Sequence, residues 1–150
     1  MKREFVDTRQ GRFATLEAGE PDAPLVLCAH GFPDHAPSFE PVLQRLAEAG
    51  YRAVAPWMRG YAPSVSAGPY HADQLGADLL ALADALGGDE HSVLVGHDWG
   101  AVGTYAALQQ APRRFRRAVT MAVPHPATFL GQVPRQPRQL LRSWYMIFFQ

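Results

Sequence analysis

Apolar and polar positions alternate over residues 3–8 and again over 12–18, which predicts two strands joined at Gln10-Gly11 in a hairpin-like start. A different pattern follows. Leu25 to Ala29 is a short unbroken apolar run, and Tyr51–Ala55, Ser92–Val95 and Ala118–Val123 repeat it. Each reads as a strand covered on both faces. Between these runs the spacing turns helical. Phe39, Val42, Leu43 and Leu46 share one face of a helix expected from Ser38 to Ala49 and stopped by Gly50. Leu75, Leu79, Leu82 and Leu86 do the same over 71–86, with Gly87-Gly88 after them. A third helix is expected from the Gly96–Gly100 turn to about Gln110, a fourth beginning at Arg138, and a loop rich in Gly, Pro and Ser over Pro56–Pro69. Strands alternating with helices at this spacing predict an α/β fold, a mostly parallel sheet with helices on both faces.

Composition narrows the picture. The 150 residues suit one domain, and 47% hydrophobic with 19% charged residues suits a packed soluble core rather than disorder. Formal net charge is zero, so no field favours nucleic acid or an anionic membrane. The distribution is uneven, however. After Asp98 come Arg113, Arg114, Arg116, Arg117, Arg135, Arg138 and Arg142 and no carboxylate, and their acidic neighbours are expected on chain beyond this sequence. Cys28 is the one cysteine, placed as a small buried hydrophobe, so no intrachain disulfide can form. Met1-Lys2-Arg3-Glu4-Phe5 lacks a signal peptide's apolar stretch, no run approaches a membrane span, and the expected location is cytoplasmic. Lys2 is the one lysine among abundant Arg, Ala, Gly and Pro, which suggests a GC-rich bacterial gene.

The chemistry is expected at the carboxyl ends of the strands, where open α/β sheets bind ligands. Gly96-His97-Asp98-Trp99-Gly100 joins a buried strand to a helix as small-x-acid-x-small. That is the pattern of a nucleophile elbow, with Gly96 and Gly100 where close backbone leaves no room for a Cβ. The presented residue is an aspartate where an esterase has serine. Serine attacking a saturated carbon leaves a stable ether, whereas a carboxylate makes an alkyl ester that water can cleave. The helix N-terminus favours the ionised carboxylate by ~0.3–1 kcal/mol. The plainer alternative is that Asp98 merely caps the helix. A second loop, His30-Gly31-Phe32-Pro33, is expected to offer the Phe32 N–H as one oxyanion donor, with the Trp99 N–H as the other. Gly31 allows close approach there, and Pro33, for which a cis bond is open, would hold the turn.

With these residues the chain resembles the epoxide hydrolase and haloalkane dehalogenase branch of the α/β-hydrolase superfamily. The resemblance rests on His30-Gly31-Phe32-Pro33, Arg59-Gly60-Tyr61, Gly96-His97-Asp98-Trp99-Gly100-Ala101, Val123-Pro124-His125-Pro126 and the stretch from Ser143 to Gln150. Haloalkane dehalogenases match at Asp98-Trp99 but usually have asparagine where this chain has Phe32. Fluoroacetate dehalogenases usually have arginine where it has Trp99. Epoxide hydrolases match at both, so the resemblance implies a small apolar epoxide as substrate and no cofactor. It also implies that this is the N-terminal part of the enzyme, with core domain over 1–136 and the start of a cap over 137–150. Two cap tyrosines that protonate the epoxide, and a late histidine with an acidic partner, are implied further along. Tyr145 does not match the cap tyrosines, and the fragment alone is expected to be inactive.

The remaining histidines take structural readings. His30 and His97 are expected to satisfy hydrogen bonds around the two loops, His125 to brace a turn, and His35, His71 and His91 to be exposed. A metal site from His30, Asp34, His35 and His97 has no recognised ligand spacing behind it, and none is expected. The apolar stretch Trp144-Tyr145-Met146-Ile147-Phe148-Phe149 suggests that the chain is part of a larger protein. A dehalogenase of the same fold, or a non-catalytic binder that keeps the elbow, are the alternative functions. Oligomeric state is not legible.

Overall fold

The early alternation becomes a hairpin in the computed structural model, which describes residues 1–132 together with Arg138 and Arg142. Strand β1 (Lys2–Thr8) pairs antiparallel with β2 (Gly11–Ala18), and Gly11 takes a φ of 131° at the turn. The apolar runs become β3 (Leu25–Ala29), β4 (Arg52–Pro56), β5 (Val93–His97) and β6 (Arg117–Met121). The six strands lie in the order β1-β2-β4-β3-β5-β6, antiparallel from β1 to β4 and parallel from β4 to β6. The helices are α1 (Glu40–Glu48), α2 (Ala72–Ala85), α3 (Trp99–Gln110) and α4 (Pro126–Gln132). This is the mostly parallel α/β sheet that the periodicities predict.

Period-two alternation divides the core between the two faces of the sheet. Leu25, Leu27 and Ala29 join Phe13, Val54, Leu94 and the leucines of α2 on one face. Val26 and Cys28 join Ala14, Ala53, Ala55, Phe39 and Leu43 under α1 on the other. Each fully buried leucine stabilises the fold by about 1.5–3 kcal/mol. Burial pushes the Cys28 thiol up to about 12. Because β3 sits between β4 and β5, the chain moves one way from β3 to β4 and the other way to reach β5. The helices that follow β3 and β5, α1 and α3, therefore pack on opposite faces of the sheet. Such a switch of direction leaves a crevice at the carboxyl ends of the strands, beside the two connecting loops.

Several expectations are corrected. The first helix begins later than Ser38: Ala36–Phe39 form a 3-10 turn, and Pro41, which has no N–H to place, sits in the first turn of α1. Val42 is exposed rather than part of the buried face. The fourth strand ends at Met121 and is not buried, since it pairs with β5 on one side and no described strand covers the other. Val93 and Val95 of β5, although β5 is paired on both sides, are only half-buried against the α1 side of the core. Arg114 finds its acid inside this chain, at 3.0 Å from Asp84 of α2. The expected fourth helix, the cap from 137 and the terminal apolar stretch lie outside the described residues, apart from the exposed Arg138 and Arg142.

The loop after β4 is held by a buried ion pair. Arg59 donates from Nε to Asp78 Oδ2 at 2.8 Å and from Nη2 to Asp78 Oδ1 at 2.6 Å. The same guanidinium donates to the carbonyls of Gln10 and Ala67, and Gln74 donates to Asp78. Asp78, through its hydrogen bonds, raises the Arg59 pKa against the opposing effect of burial. Two segments distant in sequence, the turn between β1 and β2 and the loop after β4, are thus fixed to α2. Asp78→Ala leaves a buried guanidinium without its carboxylate, and the expected loss is about 3–5 kcal/mol in urea unfolding of the whole protein. A loss below about 1 kcal/mol would show that the carbonyls alone satisfy Arg59.

Candidate active site

The turn from β5 into α3 depends on what is missing from its glycines. A Cβ on Gly96 would lie 2.4 Å from both Gly100 O and Thr104 Oγ1, and one on Gly100 would lie 2.1 Å from Ala29 O. Between them Asp98 takes φ 53° and ψ −117°, a left-handed conformation that costs a non-glycine residue on the order of 1–3 kcal/mol. Its carbonyl starts α3, accepting from Ala101 and Val102 N–H. Its side chain makes no capping hydrogen bond. The strained residue stands at the N-cap position without doing the work of a cap.

The Asp98 carboxylate points instead at the loop after β3, where Phe32 N–H donates to Oδ1 at 2.9 Å. Gly31 makes this approach possible, since a Cβ there would lie 2.3 Å from Asp98 Oδ1 and 2.7 Å from Trp99 N. The Phe32-Pro33 bond is cis. Trp99 N–H, the second expected donor, makes no hydrogen bond with the carboxylate. It opens α3, where the first N–H groups have no partner within the helix, and it faces the same space as Gly31. Phe32 and Trp99 side chains are each half exposed, and Met121 joins them as an exposed apolar residue at the same strand ends.

His30 is wholly buried beneath this loop. Met58 N–H donates to its Nε2 at 3.0 Å, so the ring proton belongs on Nδ1, which lies 2.9 Å from Gly31 O. Burial lowers the His30 pKa, in keeping with a neutral ring. Tyr61 packs edge-on against it, centroids 4.6 Å apart, and extends its hydroxyl to Gly31 O at 3.4 Å. Burial and then the Asp98 charge raise the Tyr61 pKa, which keeps that hydroxyl protonated. Burial raises the Asp34 carboxyl too, but donation from Ser38 and the His35 N–H outweighs it and leaves the pKa lowered.

His97, the last residue of β5, is half-buried and its ring makes no hydrogen bond among the described residues, contrary to expectation. His125 does brace its turn, accepting from Ala127 N–H at 3.3 Å and lying edge-on to Tyr105. His35, His71 and His91 are exposed as expected, although His71 also caps α2. No cluster of metal-ligating side chains occurs among the described residues. A concavity of about 920 Å³ lies at the opposite edge of the sheet, between Leu25, Arg52, Val93 and Arg117, away from Asp98. Tyr61 and the Met58 N–H escaped residue-level reading; the stretch Arg59-Gly60-Tyr61 signalled only a resemblance.

No described helix is long and apolar enough to cross a membrane. A family model described as alpha/beta hydrolase fold matches residues 24–150. Epoxide hydrolase A of Mycobacterium tuberculosis (strain ATCC 25618 / H37Rv) is 43% identical over 156 residues, covering 97% of this chain and 47% of that protein. The AB hydrolase superfamily protein YfhM of Bacillus subtilis (strain 168) is 32% identical, covering all of this chain and 53% of that one. The crystal structure of epoxide hydrolase A from Mycobacterium thermoresistibile superposes with a TM-score of 0.77 at 34% identity, over 88% of this chain and 44% of that one. The chain spans about half the length of the curated relatives it matches. An acid on a strained strand-to-helix turn, met by a backbone donor from the neighbouring loop, fits a match this broad: the chain belongs to the alpha/beta hydrolase fold family.

Proposed function

We propose that this chain carries the nucleophile and the oxyanion donors of an epoxide hydrolase that works through an ester on Asp98. One observation carries the reading: the Asp98 side chain caps nothing and accepts from Phe32 N–H at 2.9 Å. An Asp98 oxygen attacks an epoxide carbon, the ring C–O bond breaks, and the ring oxygen takes a proton. Water then attacks the ester carbonyl, and Phe32 and Trp99 N–H groups stabilise the oxyanion. Collapse releases the diol and restores the carboxylate. His30, Gly31, Pro33, Gly96 and Gly100 hold the two loops in place. Phe32 and Trp99, half exposed at the crevice, suit a small apolar epoxide.

The relatives' greater length supports a division of labour. Proton donors and the water-activating histidine belong to a cap from about residue 137 and to later core, so these 150 residues alone are expected to open styrene oxide no faster than background. Diol formed by them at a steady rate, and lost in Asp98→Ala, would place all the catalytic groups within this sequence.

The covalent route moves an Asp98 oxygen into the product. A single turnover of the whole protein in oxygen-18 water, with enzyme in excess, is expected to give unlabelled diol and label in the peptide containing Asp98. Asp98→Asn should abolish that turnover, since an amide is a poor nucleophile although asparagine caps helices well. Labelled diol in the first turnover would make Asp98 a general base instead, and binding without turnover would favour a non-catalytic protein.

Gly31→Ala probes the approach of the two loops. Its Cβ would press on Asp98 Oδ1, so the carboxylate must move, and a displacement near 1 Å lowers the rate on the order of 100-fold. Ester formation measured by rapid quench should fall by that factor while the whole protein stays folded by circular dichroism.

A further inference from the structure

The donor that meets Asp98 belongs to a peptide unit whose other end is also held. Gly31 C=O and Phe32 N–H are the two ends of one peptide, and that bond is not among the cis bonds of the chain. In a trans peptide the carbonyl and the N–H point in opposite directions, so fixing one end aims the other. Gly31 O faces the interior, where His30 Nδ1 lies at 2.9 Å and Tyr61 Oη at 3.4 Å. Phe32 N–H faces the crevice and meets Asp98 at 2.9 Å.

We propose that His30 and Tyr61 are positioning residues that set the plane of the Gly31–Phe32 peptide, and through it the oxyanion donor. The inference rests on the ester mechanism above and deepens it. Gly31 has no side chain to resist rotation of this peptide, so its orientation must come from outside. His30 is suited to the task because its ring cannot turn: Met58 N–H occupies Nε2, Tyr61 covers the ring, and the residue is wholly buried. The Met58 contact also decides the tautomer, since a nitrogen that accepts from an N–H carries no proton, and so Nδ1 is the donor. Donation to the carbonyl polarises the peptide and strengthens the N–H at its far end. No bond to His30 or Tyr61 forms or breaks during turnover.

Two substitutions separate the two ring nitrogens. His30→Gln puts its amide near the Nε2 position, keeping an acceptor for Met58 but no donor for Gly31. His30→Asn puts its amide near the Nδ1 position and keeps the donor. With styrene oxide and the whole protein, rapid quench and mass spectrometry follow the ester on Asp98. Ester decay is expected to slow roughly tenfold or more in His30→Gln and to be restored to within about threefold in His30→Asn, because hydrolysis is the step that develops the oxyanion. A purely structural role would lower both variants together with their thermal stability and would show no rescue by asparagine. Equal ester decay in His30→Gln and the unaltered protein overturns the proposal.

Nitrogen-15 spectra of histidine-labelled, unaltered protein give a second reading that needs no turnover and no variant. The proton of His30 is expected on Nδ1, and a proton on Nε2 overturns the proposal even if His30→Gln does not fold. Absence of any ester in the unaltered protein would reject the mechanism above while the nitrogen spectra still decide the placement of the peptide.

Discussion

The carboxyl edge of this sheet depends on two chain segments passing at backbone distance. The end of β3 and the first turn of α3 come so close that a Cβ at Gly100 would fall 2.1 Å from Ala29 O, and one at Gly31 would fall 2.3 Å from the Asp98 carboxylate. A hydrogen bond from one loop's backbone to the other loop's side chain follows from that contact. Asp98 holds its positive-φ conformation between Gly96 and Gly100, the two glycines whose missing Cβ atoms make room for the turn. Its strain is balanced by the packing of β3, β5 and α3, which bury Leu27, Cys28 and Leu94 completely.

The loops above the sheet have little regular structure, and buried polar groups hold them instead. Inside a protein an unpaired donor or acceptor costs more than a paired one returns, so each such group restricts its neighbours. Arg59 fixes the loop after β4 to α2 and to the turn between β1 and β2. His30 fixes the loop after β3 to Met58, on that same loop after β4. The site is therefore supported through the β4 loop, although no residue of that loop touches the Asp98 carboxylate by a hydrogen bond.

Local patterns made part of this legible. Val93-Leu94-Val95 followed by glycine, acid and glycine marks a strand, a sharp turn and a helix because strand burial and glycine's lack of a Cβ act over a few residues. The approach of Phe32 to Asp98 could be expected because both loops leave neighbouring parallel strands on the same edge. Arg59 and Asp78 could not be paired by reading, since no periodicity links a loop residue to a helix residue 19 positions later. The exposure of β6 was hidden for a similar reason: Ala118-Val119-Thr120-Met121 has the look of a covered strand, and whether it is covered depends on a neighbour in the sheet. Val42 failed for a similar reason: it flanks the fully buried Leu43 in α1, and whether a flanking position is covered depends on what packs against the helix.

Cys28 gains a meaning from the proposed chemistry, since its strand leads directly into the loop that carries Phe32. Epoxides alkylate sulfur more readily than oxygen, and they do so through the thiolate. The single thiol of the chain is fully buried under α1, with its pKa pushed up to about 12, so near neutral pH it offers almost no thiolate and no path to one. An electrophile at the carboxyl ends of the strands thus meets the Asp98 carboxylate, while the Cys28 sulfur lies buried beneath α1. For the proposed reaction the sheet thereby supplies chemoselectivity: the layer of side chains that builds the core also keeps the one thiol of the chain out of reach of an epoxide.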